Sequence, residues 1–206
     1  MNRKVTLRDI QKADTHQRLL DAASRVFDRE GFDAATVDQI ASEAGASRPT
    51  FYAHFKDKQQ VLAELMDMYR MRALPFIERF PGPNPTVGDI KIWLHAIGSF
   101  LEQEKELFSL LNQTVGHRPV GSPHYGLEIV DAWISGLATR SEVFAKAKSK
   151  TKTNVSARAW AELLVIEIVW AASNVLAHPR SNFTRKTVEI VALSLHRFIN
   201  EQQDMG

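Results

Sequence analysis

Residues 36–55 read TVDQIASEAGASRPTFYAHF, and this stretch predicts two short helices joined by a tight turn. Thr36 opens a T-x-x-Q capping box, in which its hydroxyl accepts a hydrogen bond from a first-turn amide and Gln39 reaches back to the cap. Gly45 gives the backbone the freedom for a sharp exit, and Ser47 is a good N-cap for the second helix. The pattern indicates a helix-turn-helix, whose second helix enters the major groove of DNA.

The second of these helices divides its side chains between an apolar and a polar side. Phe51 and Phe55 are four residues apart and are predicted to point inward. Pro49 falls in the first turn, where its missing N–H costs little. Four polar or charged side chains are left for other partners: Arg48, Thr50, Tyr52 and His54.

Helical periodicity continues on both sides of this stretch, and the chain shows no convincing strand alternation. Gly31 is a suitable C-cap for the preceding helix, and Asp57 can cap the following one. We therefore expect an all-α fold of about nine helices. The first four are predicted near residues 15–30, 37–44, 48–55 and 58–79.

The run from about Leu19 to Leu65 resembles the DNA-binding domain of TetR-family transcriptional regulators. The residues that carry the resemblance are LLDAASRVFDREGFDAATVDQIASEAGASRPTFYAHFKDKQQVL, which keep the family's spacing without gaps. The resemblance implies a sequence-specific regulator of transcription, namely a homodimeric repressor that a small-molecule effector releases from a pseudo-palindromic operator. Two alternatives stay open. A protein partner could replace the small molecule, or a helical small-molecule-binding or catalytic protein could carry an incidental helix-turn-helix.

Side-chain chemistry at the matching positions assigns roles at double-stranded DNA. Arg can pair with guanine and Thr can contact a thymine methyl, whereas polar groups at helix N-termini bind phosphate. The expected base contacts are Arg48 and Thr50, and the expected phosphate contacts are Thr36, Ser47, Tyr52, His54 and Lys58. Pro49 departs from the small or polar residue usual in the family and could make an apolar base contact. Arg3, Lys4 and Arg8 could reach the minor groove.

The chain is expected to divide into four parts. Residues 1–14 form a flexible basic arm, 15–57 the helix-turn-helix domain, and 58–80 a connecting helix. PGPNPT at 81–86 cannot continue a helix, so a regulatory and dimerisation domain is placed over 81–206. In that domain we predict a sixth helix from Leu107 to Val115 and a seventh capped by Ser122-Pro123 that ends in the KAKSKTKTN loop.

Helices eight and nine, near 156–177 and 184–202, carry more apolar surface than a small monomer readily buries. The economical solution is a four-helix interface from two copies of the chain, and the resemblance implies the same homodimer. The alternative is that helix eight simply lies at the centre of the monomer core.

The resemblance also implies a small-molecule pocket enclosed by helices five to eight. Large aromatic side chains could line it, although each could equally be an ordinary core residue. The candidates are Trp93, Phe100, Phe108, Trp133 and Trp160. Glu162 and Glu167 interrupt the apolar eighth helix and could face a ligand or pair across the dimer.

Several classes of function lack a signal in the sequence. The chain has no cysteine and none of the common motifs of hydrolases, metalloproteases or phosphate-binding loops, so we expect neither an enzyme nor a metal or cofactor site. No signal peptide or membrane-spanning run is predicted, which favours the cytoplasm. The net charge of +2 is uninformative as a sum, but residues 1–20 and 47–58 concentrate positive charge.

Overall fold

The computed structural model of the chain describes residues 6–105, 108–109, 125–148 and 155–203. Within these ranges the chain forms nine α-helices and no strand, which confirms the predicted all-α fold. Their bounds are α1 Leu7–Glu30, α2 Val37–Glu43, α3 Arg48–Tyr52, α4 Lys58–Ile77, α5 Val87–Gln103, α6 Tyr125–Leu137, α7 Glu142–Lys148, α8 Val155–Ala177 and α9 Asn182–Gln203.

The start of α1 corrects the prediction of a flexible arm for residues 6–14, the described part of the predicted arm 1–14. Thr6 is the N-cap, and its hydroxyl accepts from the Asp9 amide at 3.2 Å. The Asp9 carboxylate in turn accepts from the Thr6 amide at 3.0 Å, which completes a capping box. Helix α1 therefore begins at Leu7, eight residues before the predicted start. Arg3 and Lys4 lie outside the described residues.

Two compact units share the chain, and their division falls inside α4. Of the described residues, the first unit holds 6–69 and 108–109, and the second holds 70–105, 125–148 and 155–203. The predicted boundary at 81–86 thus lies within the second unit. The Pro-rich break therefore separates α4 from α5 within one unit.

The core of the first unit comes from the apolar faces of α1 to α4. Val26 and Phe27 of α1, Ile40 of α2 and Phe51 of α3 are fully buried. Gly31 ends α1 with φ of 81°, a conformation that side chains with a Cβ rarely adopt. This core fixes the angle between α2 and α3, and so positions the polar side of α3.

In the second unit, α5 packs against α8 and α9, and α8 packs against α9. A glycine allows a close approach of α5 to α8: a Cβ at Gly98 would lie 2.8 Å from a Val175 methyl. The predicted seventh helix is two helices, α6 and α7, because the chain turns at Thr139 to Ser141. The cap at Ser122-Pro123 and most of the predicted sixth helix lie outside the described residues.

Helix α8 corrects the expectation that no segment is long and apolar enough to span a membrane. It has 23 residues and meets that criterion by length and composition. One side of it, which includes Leu164, Val165 and Ile168, is nevertheless buried in the second unit. That side of α8 therefore belongs to the core of the second unit.

Candidate DNA-binding surface

Helices α2 and α3 have capped N-termini, as the sequence predicts. The Thr36 hydroxyl accepts from the Gln39 amide at 3.2 Å, and the Gln39 side chain accepts from the Thr36 amide at 2.8 Å. Ser47 caps α3 by accepting from the Thr50 amide at 3.2 Å. Gly45 makes the exit from α2 with φ of 63°. The helix-turn-helix geometry is therefore set by local hydrogen bonds.

Helix α3 is shorter than the predicted 48–55 span, but its hydrogen bonding continues past Tyr52. The Ala53 amide donates to Pro49 at 3.0 Å, and the Phe55 amide donates to Phe51 at 2.9 Å. Phe51 and Phe55 are buried as expected. Arg48, Pro49 and Tyr52 are exposed, whereas Thr50 is half-buried, its hydroxyl 2.7 Å from that of Ser47.

Arg48 is held between α2 and its own helix. Its Nη1 donates to both oxygens of Asp38, at 3.1 and 3.4 Å. The guanidinium carbon lies 5.7 Å from the centre of the Tyr52 ring. A hydrogen bond to Tyr52 and the charge of Asp38 raise the pKa of Arg48 above its ordinary value. The candidate base-reading side chain is thus oriented before any DNA is present.

His54 belongs to a cluster that joins α1, α3 and α4. Its ring centre lies 5.6 Å from that of His16, which stacks on Phe55 at 4.5 Å. His16 Nε2 is 2.6 Å from a carboxylate oxygen of Glu64. Burial, and next the charges of His16 and Lys12, lower the pKa of His54 below its ordinary value of 6.5. Burial and these charges therefore favour the neutral ring of His54 in the free protein.

The ammonium of Lys58, a predicted phosphate contact, is held by hydrogen bonds within the first unit. The ammonium donates to the carbonyl oxygens of Phe32, Asp33 and Ala35, at 2.8, 2.9 and 2.9 Å. It also lies 4.8 Å from the centre of the Phe32 ring. An ammonium has three N–H donors, and all three are used on the α1–α2 connection. Lys58 thus fastens α4 to that turn.

The aromatic candidates for a ligand pocket separate into three groups. Trp93, Phe100 and Trp133 are buried in the second unit, where the Trp93 indole N–H donates to the Phe76 carbonyl at 2.9 Å. Phe108 is buried too, but it belongs to the first unit. Trp160 is 55% exposed, which corrects its assignment to a pocket lining. It lies on the outer side of α8, because that helix turns its other side to α5.

The outer sides of α8 and α9 form an exposed apolar surface, which we call the α8/α9 face. Trp170 and Phe183 bring the two helices together there, with ring centres 6.0 Å apart. Glu167 lies among these residues, and burial raises the pKa of its carboxyl above the ordinary value of 4.5. Glu162 instead accepts from Arg158 at 2.7 Å. The large apolar members of the face are Trp160, Leu163, Ile166, Trp170, Phe183, Ile190 and Leu193.

No group of three His, Asp or Glu side chains within the described ranges has a geometry that could hold a metal ion. The polar groups brought together at α2 and α3 instead suit an anionic polymer, because they combine two capped helix N-termini with Arg, Thr, Tyr and His side chains.

Residues 19–65 match the family model described as "Bacterial regulatory proteins, tetR family". Among curated relatives, the HTH-type transcriptional regulator AcrR of Shigella flexneri is 29% identical over 109 residues, which cover 51% of this chain and 49% of that protein. The regulator SrpR of Pseudomonas putida is 45% identical over 53 residues, 26% of this chain and 25% of that protein. The first relatives are thus matched over about half of their length or less.

Solved structures of similar fold cover most of the chain. The SmeT repressor of the Stenotrophomonas maltophilia multidrug efflux pump SmeDEF aligns with a TM-score of 0.59 at 17% identity, covering 88% of this chain and 90% of that one. FadR of Bacillus subtilis, in complex with stearoyl-CoA, aligns with a TM-score of 0.56 at 18% identity, covering 89% and 97%. Together with the family match, this likeness fixes the fold. Residues 19–65 therefore match the tetR family of bacterial regulatory proteins, and 88–89% of the chain shares the fold of these two solved structures.

Proposed function

We propose that this protein is a sequence-specific transcriptional repressor that binds a pseudo-palindromic operator as a homodimer and is released by a small-molecule effector. The observation that carries the proposal is the pair of capped helices α2 and α3, with Arg48 oriented on the exposed side of α3. This pair lies inside the family's DNA-binding domain. A cytoplasmic location follows from this role.

At DNA, we assign Arg48 and Thr50 to base contacts and Pro49 to an apolar contact beside them. Phosphate contacts come from polar groups at the N-termini of α2 and α3 and from the end of α3: Thr36, Ser47, Tyr52 and His54. Phosphate contacts fix register and orientation, whereas Arg48 carries the sequence preference. Arg8 is exposed in the first turns of α1 and is a further candidate for the backbone.

The α8/α9 face supports the homodimer. Its seven large apolar side chains are 39–61% exposed, and they line two adjacent helices. Such a contiguous patch is uncommon on a monomer and marks an interaction surface. Two copies related by a two-fold axis would bury it against itself and present two α3 helices to the two halves of a pseudo-palindrome.

The proposal of a small-molecule effector rests on the buried aromatic residues of the second unit and on ligands bound in solved structures of similar fold. Triclosan is bound in one solved structure of SmeT, and stearoyl-CoA in that of FadR. For this chain we propose an apolar ligand that contacts some of Trp93, Phe100 and Trp133, which are buried in the second unit. A ligand that binds one conformational state of the dimer more tightly than the other shifts the population toward that state. The ratio of its affinities for the two states limits how far the affinity for the operator falls.

The experiment is a mobility-shift assay on a duplex that the protein itself selects from a random pool. We expect a retarded complex that excess scrambled duplex does not displace. Absence of any selected sequence would contradict the repressor. Native mass spectrometry of the purified protein then tests the effector: a retained small molecule supports it, and a co-purifying protein that releases DNA favours a protein partner instead.

A further inference from the structure

The Asp38–Arg48 ion pair lies on the surface that we assign to DNA. Asp38 is the second residue of α2 and Arg48 is the first residue of α3. Their side chains are 65% and 58% exposed, although Nη1 lies 3.1 Å from one carboxylate oxygen. Exposed ion pairs contribute little to stability, because solvent screens them and two long side chains lose freedom. Stability alone therefore does not account well for this pair.

A carboxylate at this place also works against simple phosphate binding. The N-terminus of α2, with Thr36 as its cap, is a candidate phosphate site, and Asp38 lies within its first turn. A negative charge there favours the helix dipole but repels the DNA backbone. The side chain thus weakens attraction to any duplex, so phosphate binding does not account for its presence on this surface.

We propose that Asp38 is a specificity-determining residue that positions Arg48 for guanine, an inference that rests on the proposed function. The carboxylate holds Nη1 and Tyr52 takes one further hydrogen bond, which leaves at least two of the five N–H donors of the guanidinium for the O6 and N7 atoms of one guanine. The Tyr52 ring on the other side limits movement further. Without Asp38, the guanidinium is free to swing to a phosphate, which every sequence offers.

This arrangement predicts opposite changes in two affinities. Asp38→Asn removes a charge that repels DNA, so binding to a scrambled duplex strengthens about threefold or more. The same change releases Arg48, so the ratio of affinities for the selected over the scrambled duplex falls about tenfold. Asp28→Asn on α1 is the matched control, since it removes the same charge from an exposed site in the same unit. Asp28→Asn should leave the ratio of the two affinities unchanged.

A double-mutant cycle separates positioning from a general effect of charge. In the Arg48→Ala background, Asp38→Asn should no longer change the affinity ratio. In the wild-type background, Asp38→Glu should retain part of the preference for the selected duplex. Equal loss in both backgrounds, or an unchanged ratio for Asp38→Asn, overturns the inference. If the wild-type protein selects no sequence at all, the proposed function fails first, so the two failures are distinguishable.

Discussion

We expect the sequence selectivity of DNA binding to depend chiefly on Arg48. Its guanidinium is oriented by Asp38 and Tyr52 and is exposed on α3. Arg48→Ala should cost roughly 1–3 kcal/mol of operator binding and relax the preference at one base pair. Selection from a random duplex pool measures both quantities. Arg25→Ala, which also removes an exposed cation but on α1, should leave the preference intact. An unchanged preference in Arg48→Ala would show that base reading lies elsewhere.

We expect His54 to make operator binding depend on pH. Its pKa in the free protein is below the ordinary 6.5, since burial and the charges of His16 and Lys12 disfavour protonation. A phosphate beside His54 favours the protonated ring, so binding takes up a proton. Affinity should therefore rise as pH falls from about 7.5 to 6, a dependence that fluorescence anisotropy can follow. In His54→Asn this contribution should vanish, and an equal slope in both proteins would remove His54 from the interface.

At the scale of elements, Lys58 determines how α4 meets the α1–α2 turn. Lys58→Met removes three charge-assisted hydrogen bonds to the carbonyls of Phe32, Asp33 and Ala35, so stability should fall by about 1–3 kcal/mol. Urea unfolding measures the loss. Lys56→Met is the control, because Lys56 is exposed and no side-chain hydrogen bond holds it. A stable Lys58→Met protein whose DNA binding has a shallower salt dependence would restore the phosphate role instead.

Close packing of α5 on α8 depends on Gly98. A Cβ there would lie 2.8 Å from a Val175 methyl and 3.2 Å from the Ala172 carbonyl oxygen, which is backbone and cannot rotate away. Gly98→Ala should therefore destabilise the protein by about 1–3 kcal/mol. Gly88→Ala, in the first turn of the same helix, meets only the Thr86 hydroxyl at 3.6 Å and should be neutral or stabilising. Equal melting temperatures of the two variants would refute this packing.

Features that depend on residues close together in the sequence are predicted well. Contacts between residues far apart in the sequence are missed. The caps at Thr36 and Ser47 depend on residues three apart, so α2 and α3 start where predicted. Thr6 and Asp9 also lie three residues apart, but Asp replaces the Glu or Gln usual in a capping box, and the basic composition of the N-terminus favours an arm. The bonds of Lys58 span 23 to 26 residues, and no periodicity indicates them.

The same distinction applies to the candidate site. The sequence identifies Arg48 as an exposed side chain of α3, but its partner Asp38 lies ten residues away on α2. Their contact depends on the angle between the helices, which the buried core sets. Trp160 fails as a pocket residue for a similar reason, because an apolar helix does not reveal which side faces its own chain.

At the scale of the whole molecule, the α8/α9 face should hold two copies together. Leu163→Glu places a charge within it, where Leu163 is 54% exposed, and should convert a dimer into a monomer. Ile92→Glu is the control, since Ile92 on α5 is 73% exposed but lies outside the face. Sedimentation equilibrium distinguishes the two. A Leu163→Glu protein that stays dimeric would place the interface elsewhere.

The most direct test of the central claim is the symmetry and stoichiometry of the complex with selected DNA. Duplexes enriched from a random pool by the wild-type protein should contain an inverted repeat whose half-sites lie about one helical turn or more apart. Sedimentation of that duplex should find an even number of chains bound, and Leu163→Glu should lose high-affinity binding. Enrichment of an asymmetric site bound by one chain, or no enrichment, would contradict a dimeric operator-binding repressor.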